Sequence, residues 1–197
     1  GFGFVGFVDD VLGDHSRSGF SGHLTAAIRD RALTSGMFKV VMGGAVSLAG
    51  AALLGRHWVT FVLDAIMIAL AANFVNLLDR RPGRAIKAYA LLHVLTVTSG
   101  YVFLRWFPPA EAAAVFGSAV AFAPRDLRER AMLGDTGANP LGASLGLSLV
   151  HLPLTPRLAA LFALAALTLL SEFRSFGSII DGNRVLRFLD ELGRAET

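Results

Sequence analysis

The sequence contains no cysteine at all, which rules out a disulfide framework and any site built on thiolates. Charge is scarce too: Asp, Glu, Lys and Arg make up 17% of the 197 residues, against about 25% in an ordinary soluble domain. The formal net charge is only +3, too little to lay down a phosphate-tracking surface, so a nucleic-acid partner is not expected. The chain also lacks a charged leader ahead of its first apolar run, which opens directly as GFGFVGFVDD. That is not the layout of a secretory signal. It reads as the end of a membrane helix whose upstream part lies before Gly1.

What the sequence has in quantity is apolar residues, 54% of the total, with a mean hydropathy of +0.58. They come in blocks. Six follow the opening run, at roughly Gly36–Gly55, Trp58–Leu77, Ile86–Trp106, Ala110–Ala123, Gly137–Leu152 and Pro156–Leu170. Several approach the ~20 residues that cross a ~30 Å hydrocarbon layer, and the fourth and fifth are short. The blocks are rich in Ala, Leu and Gly and do not alternate with period two, so they predict helices rather than strands. A spanning helix also satisfies its own backbone. The fold class expected is therefore all-α, a polytopic transmembrane bundle of about six spans plus the end of one more over residues 1–173. Residues 174–197 would form a separate amphipathic tail, in which Asn183 to Arg194 sets Val185, Leu186, Leu189 and Leu192 at helical spacing. Gly43, Gly44, Gly50 and the Gly142/Gly146 pair read as places of close helix–helix approach.

Alternating the spans puts all but Arg56, Arg105 and Arg157 of the 18 Lys and Arg on one side. That side, holding the loops Asp9–Ser35, Asp79–Arg84 and Arg125–Thr136 and the tail, is expected to be cytoplasmic. It also gathers the polar residues that suggest chemistry. Asp9 and Asp10 stand together at the end of an apolar helix, where carboxylates need a cation or water. Asn73, Asn76 and Asp79 recur every three residues, on one face of a helix leaving the membrane. Asp135 sits in a glycine-flanked turn, GDTG. Acids from three segments on one membrane face suit Mg²⁺, a hard ion usually held by one or two carboxylates together with substrate phosphates. Arg80, Arg81, Arg84 and Arg128, in the same loops, are candidate phosphate contacts. Asp64 lies inside its span with no obvious partner, and His57 and His151 fall on the other side.

The succession GFVDD, NFVNLLD and MLGDTGANPLGASLG resembles the polyprenyl-phosphate N-acetylhexosamine-1-phosphate transferases, the family that starts peptidoglycan, teichoic-acid and O-antigen synthesis. The resemblance implies a ten- or eleven-helix fold, with three or four helices preceding Gly1. It implies transfer of a sugar-1-phosphate from a UDP-sugar to polyprenyl (undecaprenyl) phosphate, releasing UMP, at the cytoplasmic face of a bacterial plasma membrane. By motif, the catalytic acids would be Asp9, Asp10, Asp79 and Asp135, with Asp9 the base toward the lipid phosphate. Asp79 and Asp135 would hold Mg²⁺; Asn73 and Asn76 would line the nucleotide site; Arg80, Arg84 and Arg128 would contact phosphate. A homodimer is also in keeping with the family. Three departures are visible. Asp79 is followed by Arg80, Arg81, Pro82 and Gly83 where the family commonly has Asp-Gly-x-Asp-Gly. Gly13 stands where a Lys is common, so Lys39 is the candidate replacement cation. The late His-rich loop is absent, and SEFRSFGSIIDGN takes its place. Two other readings stay open on these residues: a catalytically silent homologue that binds lipid phosphate or a partner enzyme, and a transporter using Asp64, Asn73 and Asp79 along a path.

Overall fold

The computed structural model describes residues 1–12, 35–105 and 110–194, and every regular element among them is helical. In chain order these are α1 (Phe2–Leu12), α2 (Ser35–Ala52), α3 (Trp58–Leu78), α4 (Arg84–Leu104), α5 (Ala110–Asp126), α6 (Gly134–Leu149), α7 (Leu154–Phe173), α8 (Phe176–Asp181) and α9 (Arg184–Glu191). Three of them are long and apolar enough to cross a membrane: Trp58–Leu78, Arg84–Val102 and Leu154–Phe173. Met37–Ala52 is a shorter apolar helix, and α5 and α6, at 17 and 16 residues, fall short of a full span. The expectation of a helical bundle thus holds, with full spanning length limited to three of the described helices.

Helices α3 and α6 form the centre, and their contact is the most extensive in the molecule. The cause is steric. A Cβ on Gly142 would run into the carbonyl of Ala71 and the Cα of Ala72, and one on Gly146 would lie 2.7 Å from Ile68 Cα. With Ala71, Ala72 and Ala138 also buried, the two backbones approach without side chains between them, which is how small residues drive association where lipid offers no hydrophobic contrast. The other glycine group behaves differently. Nothing lies within 4 Å of a Cβ built on Gly44, and Gly43 would meet only Phe2, at 3.8 Å. Both border a cavity instead, so the close approach expected there is absent.

Around this centre, α1 packs on α6, α2 and α7 on α3, and α4 and α5 on α6. Helix α7 buries little beyond Leu161 and Leu164 and turns Phe162, Leu169 and Phe173 outward, the pattern of a helix whose solvent is lipid. The tail divides into two short helices joined at Gly182 and Asn183. The Asn183 side chain accepts from the N–H groups of Val185 and Leu186 at 3.0 and 3.1 Å, capping α9.

Candidate active site

The three acidic motifs meet at one end of the bundle. Gly6 lets α1 lie against the Gly134–Thr136 turn, because a Cβ there would occupy the space of the Asp135 carbonyl group. One turn further on, Asp10 accepts from the N–H groups of Asp135 and Thr136 at 3.0 and 2.9 Å and from Thr136 Oγ1 at 2.6 Å. A carboxylate from one helix thereby caps the N-terminus of another, where free N–H groups and the helix dipole both favour a negative charge. Asp135 does not cap its own helix. Its side chain points back toward α2 and α3, where Lys39 Nζ donates to Oδ2 and Asn76 Nδ2 donates to Oδ1 at 2.5 Å.

Lys39 is the cation of this cluster. Its Nζ bonds Asp135, lies 3.4 Å from Asp9 Oδ2 and donates to Asn76 Oδ1 at 3.2 Å. Burial raises the Asp135 carboxyl, but hydrogen bonds from Asp9, Lys39 and Asn76, with the Lys39 charge, outweigh it and hold Asp135 below the ordinary carboxylate range. Asp79, the residue that ends α3, lies on the other side of the cluster. Its carboxyl is pushed up to about 6, first by burial and then by the nearby negative charge of Asp126, Asp135 and Asp10, against one favourable backbone bond from Gly134. Asp126 is the residue that reasoning from sequence passed over. Set among arginines in PRDLRER, it is buried and accepts the Gly83 N–H at 2.8 Å. It fixes the turn after Asp79, where Gly83 adopts φ 75° and has Leu127 in the space a Cβ would take.

The basic candidates separate. Arg80 and Arg128 are exposed at this end. Arg81 forms two 2.9 Å bonds to Asp181. Arg84 is buried, and its guanidinium forks onto Asp190 of the tail at 2.7 and 2.9 Å. Asp64 is a correction, since it does have partners. Fully buried near the opposite end of α3, it meets Arg56 and Arg157, each at 3.3 Å, and both arginines also donate to the Val150 carbonyl. His57 and His151 lie at that end, away from the acids.

Beside the acidic cluster a cavity of about 790 Å³ runs between α1, α2, α3 and α7. Its walls are largely apolar, including Phe2, Val40, Leu70, Leu169 and Phe173, while Lys39, Asn73 and Asn139 line it among the polar groups. Lys39 therefore faces both the cavity and the acids.

Among the described residues no three His, Asp or Glu side chains are grouped so as to hold a metal ion by themselves. Mg²⁺ does not require such a cage, because waters and substrate phosphates complete its shell. Among the described residues Lys39 is the one cation bonded to these acids, and the Asp79 carboxyl, raised first by burial and then by its acidic neighbours, would gain from a further positive charge. A site of this kind fits a divalent cation arriving with a phosphorylated substrate.

Fold and site together define a polytopic helical membrane protein with an acidic centre at one end of the bundle, joined through Lys39 to an apolar cavity. The family described as glycosyl transferase family 4 matches residues 1–153, and the chain belongs to that family, whose members act as polyprenyl-phosphate sugar-phosphate transferases. No solved structure matches the chain.

Proposed function

We propose that this protein transfers a sugar-1-phosphate from a UDP-sugar to polyprenyl phosphate, in a Mg²⁺-dependent reaction at the cytoplasmic face of a bacterial plasma membrane, feeding a cell-envelope glycan. The observation that carries the reading is the meeting of Asp9 and Asp135 on Lys39, which also lines the apolar cavity, with Asp79 close to Asp135 and Asp10. The cavity suits a lipid tail, and its polar end suits the phosphate that terminates it.

In this reading the lipid phosphate enters beside Lys39 and Asn73. Asp9, at the end of α1, takes its remaining proton. The freed phosphate oxygen attacks the sugar-bearing phosphorus of the donor; a new P–O bond forms, the bond to the bridging oxygen breaks, and UMP leaves. Asp79 and Asp135 would hold Mg²⁺, which supplies neutralisation of charge on the donor diphosphate. Lys39 balances the acids until the substrate phosphates arrive. Asn76 fixes the Asp135 carboxylate, and Asp10 locks the GDTG turn to α1, so these two position rather than react. Arg80 and Arg128 border the site as cations for the donor diphosphate.

A transporter reading loses its first station, because Asp64 is occupied by Arg56 and Arg157. The remaining acids gather at one face and do not line a midplane path. The test uses membranes holding the complete gene product, polyprenyl phosphate and Mg²⁺, screened with UDP-sugars for UMP release. Metal-dependent release that vanishes in Asp79→Asn is the expected result. No release with any donor, from folded protein that binds lipid phosphate, would leave a silent homologue.

A further inference from the structure

The family match ends at residue 153, and the segment beyond it supplies some of the strongest ion pairs in the molecule. They converge on one short stretch, the turn from Arg80 to Arg84 that follows Asp79. Arg84 and Asp190 form a two-pronged pair with both side chains buried. Lys87 donates to the carbonyls of Asp190 and Leu192. Arg194 bonds both Asp190 and the Pro82 carbonyl, at 3.2 Å each. Arg81 holds Asp181 of α8, and Phe176 packs edge-on against Phe74 of α3, with ring centres 5.8 Å apart. Burial opposes ionisation of Asp190, but Arg84 and then Arg194 overcome it and keep that carboxyl below its usual range.

The rest of α9 is arranged the other way. At 100° per residue, Phe188, Leu192, Val185 and Leu189 fall on one stripe, while Asp190 projects from the far side toward the bundle. That stripe is bare: Val185 is 67%, Phe188 63% and Leu192 55% exposed. Arg184 borders one edge of it beside Glu191, Arg187 lies on the far side nearer Asp190, and Arg184, Glu191 and Arg187 are all exposed. Helix α9 lies at the end of the bundle where α3 stops and α4 begins, the level at which two spanning helices leave the hydrocarbon. An apolar stripe at that level matches the boundary of headgroups and acyl chains.

We infer that α9 is seated in the lipid surface and, through the Asp190–Arg84 pair, holds the Arg80–Arg84 turn and so positions Asp79. The tail is thus a strap between the membrane surface and the acidic site. It stands in this chain where the His-rich loop and the second family Asp are missing. The inference rests on the proposed function only for the importance of Asp79, and neither readout below involves turnover.

Because the chain has no cysteine, each introduced cysteine is a unique reporter. In the full protein reconstituted in vesicles, Phe188→Cys carries an environment-sensitive fluorophore and, separately, Arg80→Cys carries a nitroxide. In phosphatidylcholine vesicles, and in vesicles that also hold phosphatidylglycerol, the fluorophore is expected to blue-shift and to be quenched by lipid-borne quenchers. Water-like emission in both vesicles would overturn the lipid seat, as would shielding seen only in native membranes, which would assign the stripe to a partner protein. The nitroxide is expected to gain mobility with Asp190→Asn and to be restrained again in the exchanged pair Arg84→Asp with Asp190→Arg. It should also gain mobility with Leu189→Asp, which spoils the stripe and leaves the pair intact. Unchanged mobility with Asp190→Asn would sink the latch, and unchanged mobility with Leu189→Asp would sink its coupling to the membrane. Should Asp190→Asn fail to fold, the exchanged pair and Leu189→Asp still decide the matter.

Discussion

Helix α3 carries an acid near each end, and the two are opposites. Asp64, fully buried, has two arginines and a shared carbonyl around it. Asp79 has acids for neighbours, and its carboxyl is pushed up to about 6. The first arrangement is closed: every charge has a partner in the fold, and nothing from outside is needed. The second is open: among the described residues Lys39 is the one cation bonded to its acids, an arrangement that an incoming cation would balance. Closed clusters of buried charge hold elements together, whereas strained, unbalanced ones mark sites where something binds. Within one helix the contrast separates architecture from function.

The sharpest way to test the contrast is to remove the open acid. Asp79→Asn should lower turnover by roughly a hundred- to a thousandfold while helical content and membrane insertion stay as in the parent, measured by UMP release and circular dichroism. Near-parental turnover would take Asp79 out of the metal site. The closed acid should answer in the other currency. Asp64→Leu strands two arginines and should cost about 3 kcal/mol of stability, read as a lower thermal midpoint in detergent, with turnover per folded molecule little changed. A large turnover loss without a stability change would make Asp64 part of the site after all.

Acid pH bears on the open end as well. A carboxyl raised in the folded state is protonated there while the unfolded chain is still ionised, so the native protein binds the extra proton between the model value of 3.8 and about 6. In that window the Asp79 contribution to stability grows as pH falls and is lost as pH rises through about 6. Turnover must move the opposite way, since a protonated Asp79 is a poor cation ligand, dropping about tenfold per pH unit below about 6. Asp79→Asn should abolish the stability trend; a trend that persists in that variant belongs to another group. The smallest effect expected is at Gly6→Ala. The new methyl meets the Asp135 carbonyl, which should cost about 1–3 kcal/mol as overpacking and reduce turnover severalfold by parting Asp10 from the turn it caps. Unchanged turnover would mean that α1 can shift without disturbing the acids.

Much of this was legible in the residues. The apolar blocks mark the helices, and the one-sided placement of GFVDD, NFVNLLD and GDTG anticipates the acids that meet. Helix ends were less accessible: α6 begins at Gly134, ahead of its apolar run, because Asp10 from another helix supplies its cap. The partners of Asp64, Arg81 and Arg84 were not legible at all. Arg157 lies 93 residues from Asp64, and Asp190 lies 106 from Arg84, separations at which no local pattern operates. Asp126 escaped for a related reason, since burial decides its role and burial is a property of the packed bundle. The calls on the Asp9–Ser35 loop beyond residue 12 lie outside the described residues.

The cavity beside Lys39 has one further consequence. Val40, Leu169 and Phe173 line it and are also exposed, so a bilayer around α2 and α7 would bring acyl chains to its flank. An amphiphile would reach the acidic centre by sliding within the leaflet. The quantity that sets its occupancy is then its share of the surrounding lipid, not its concentration in the assay volume. Adding inert phospholipid at a constant amount of acceptor should slow the reaction as surely as removing acceptor would.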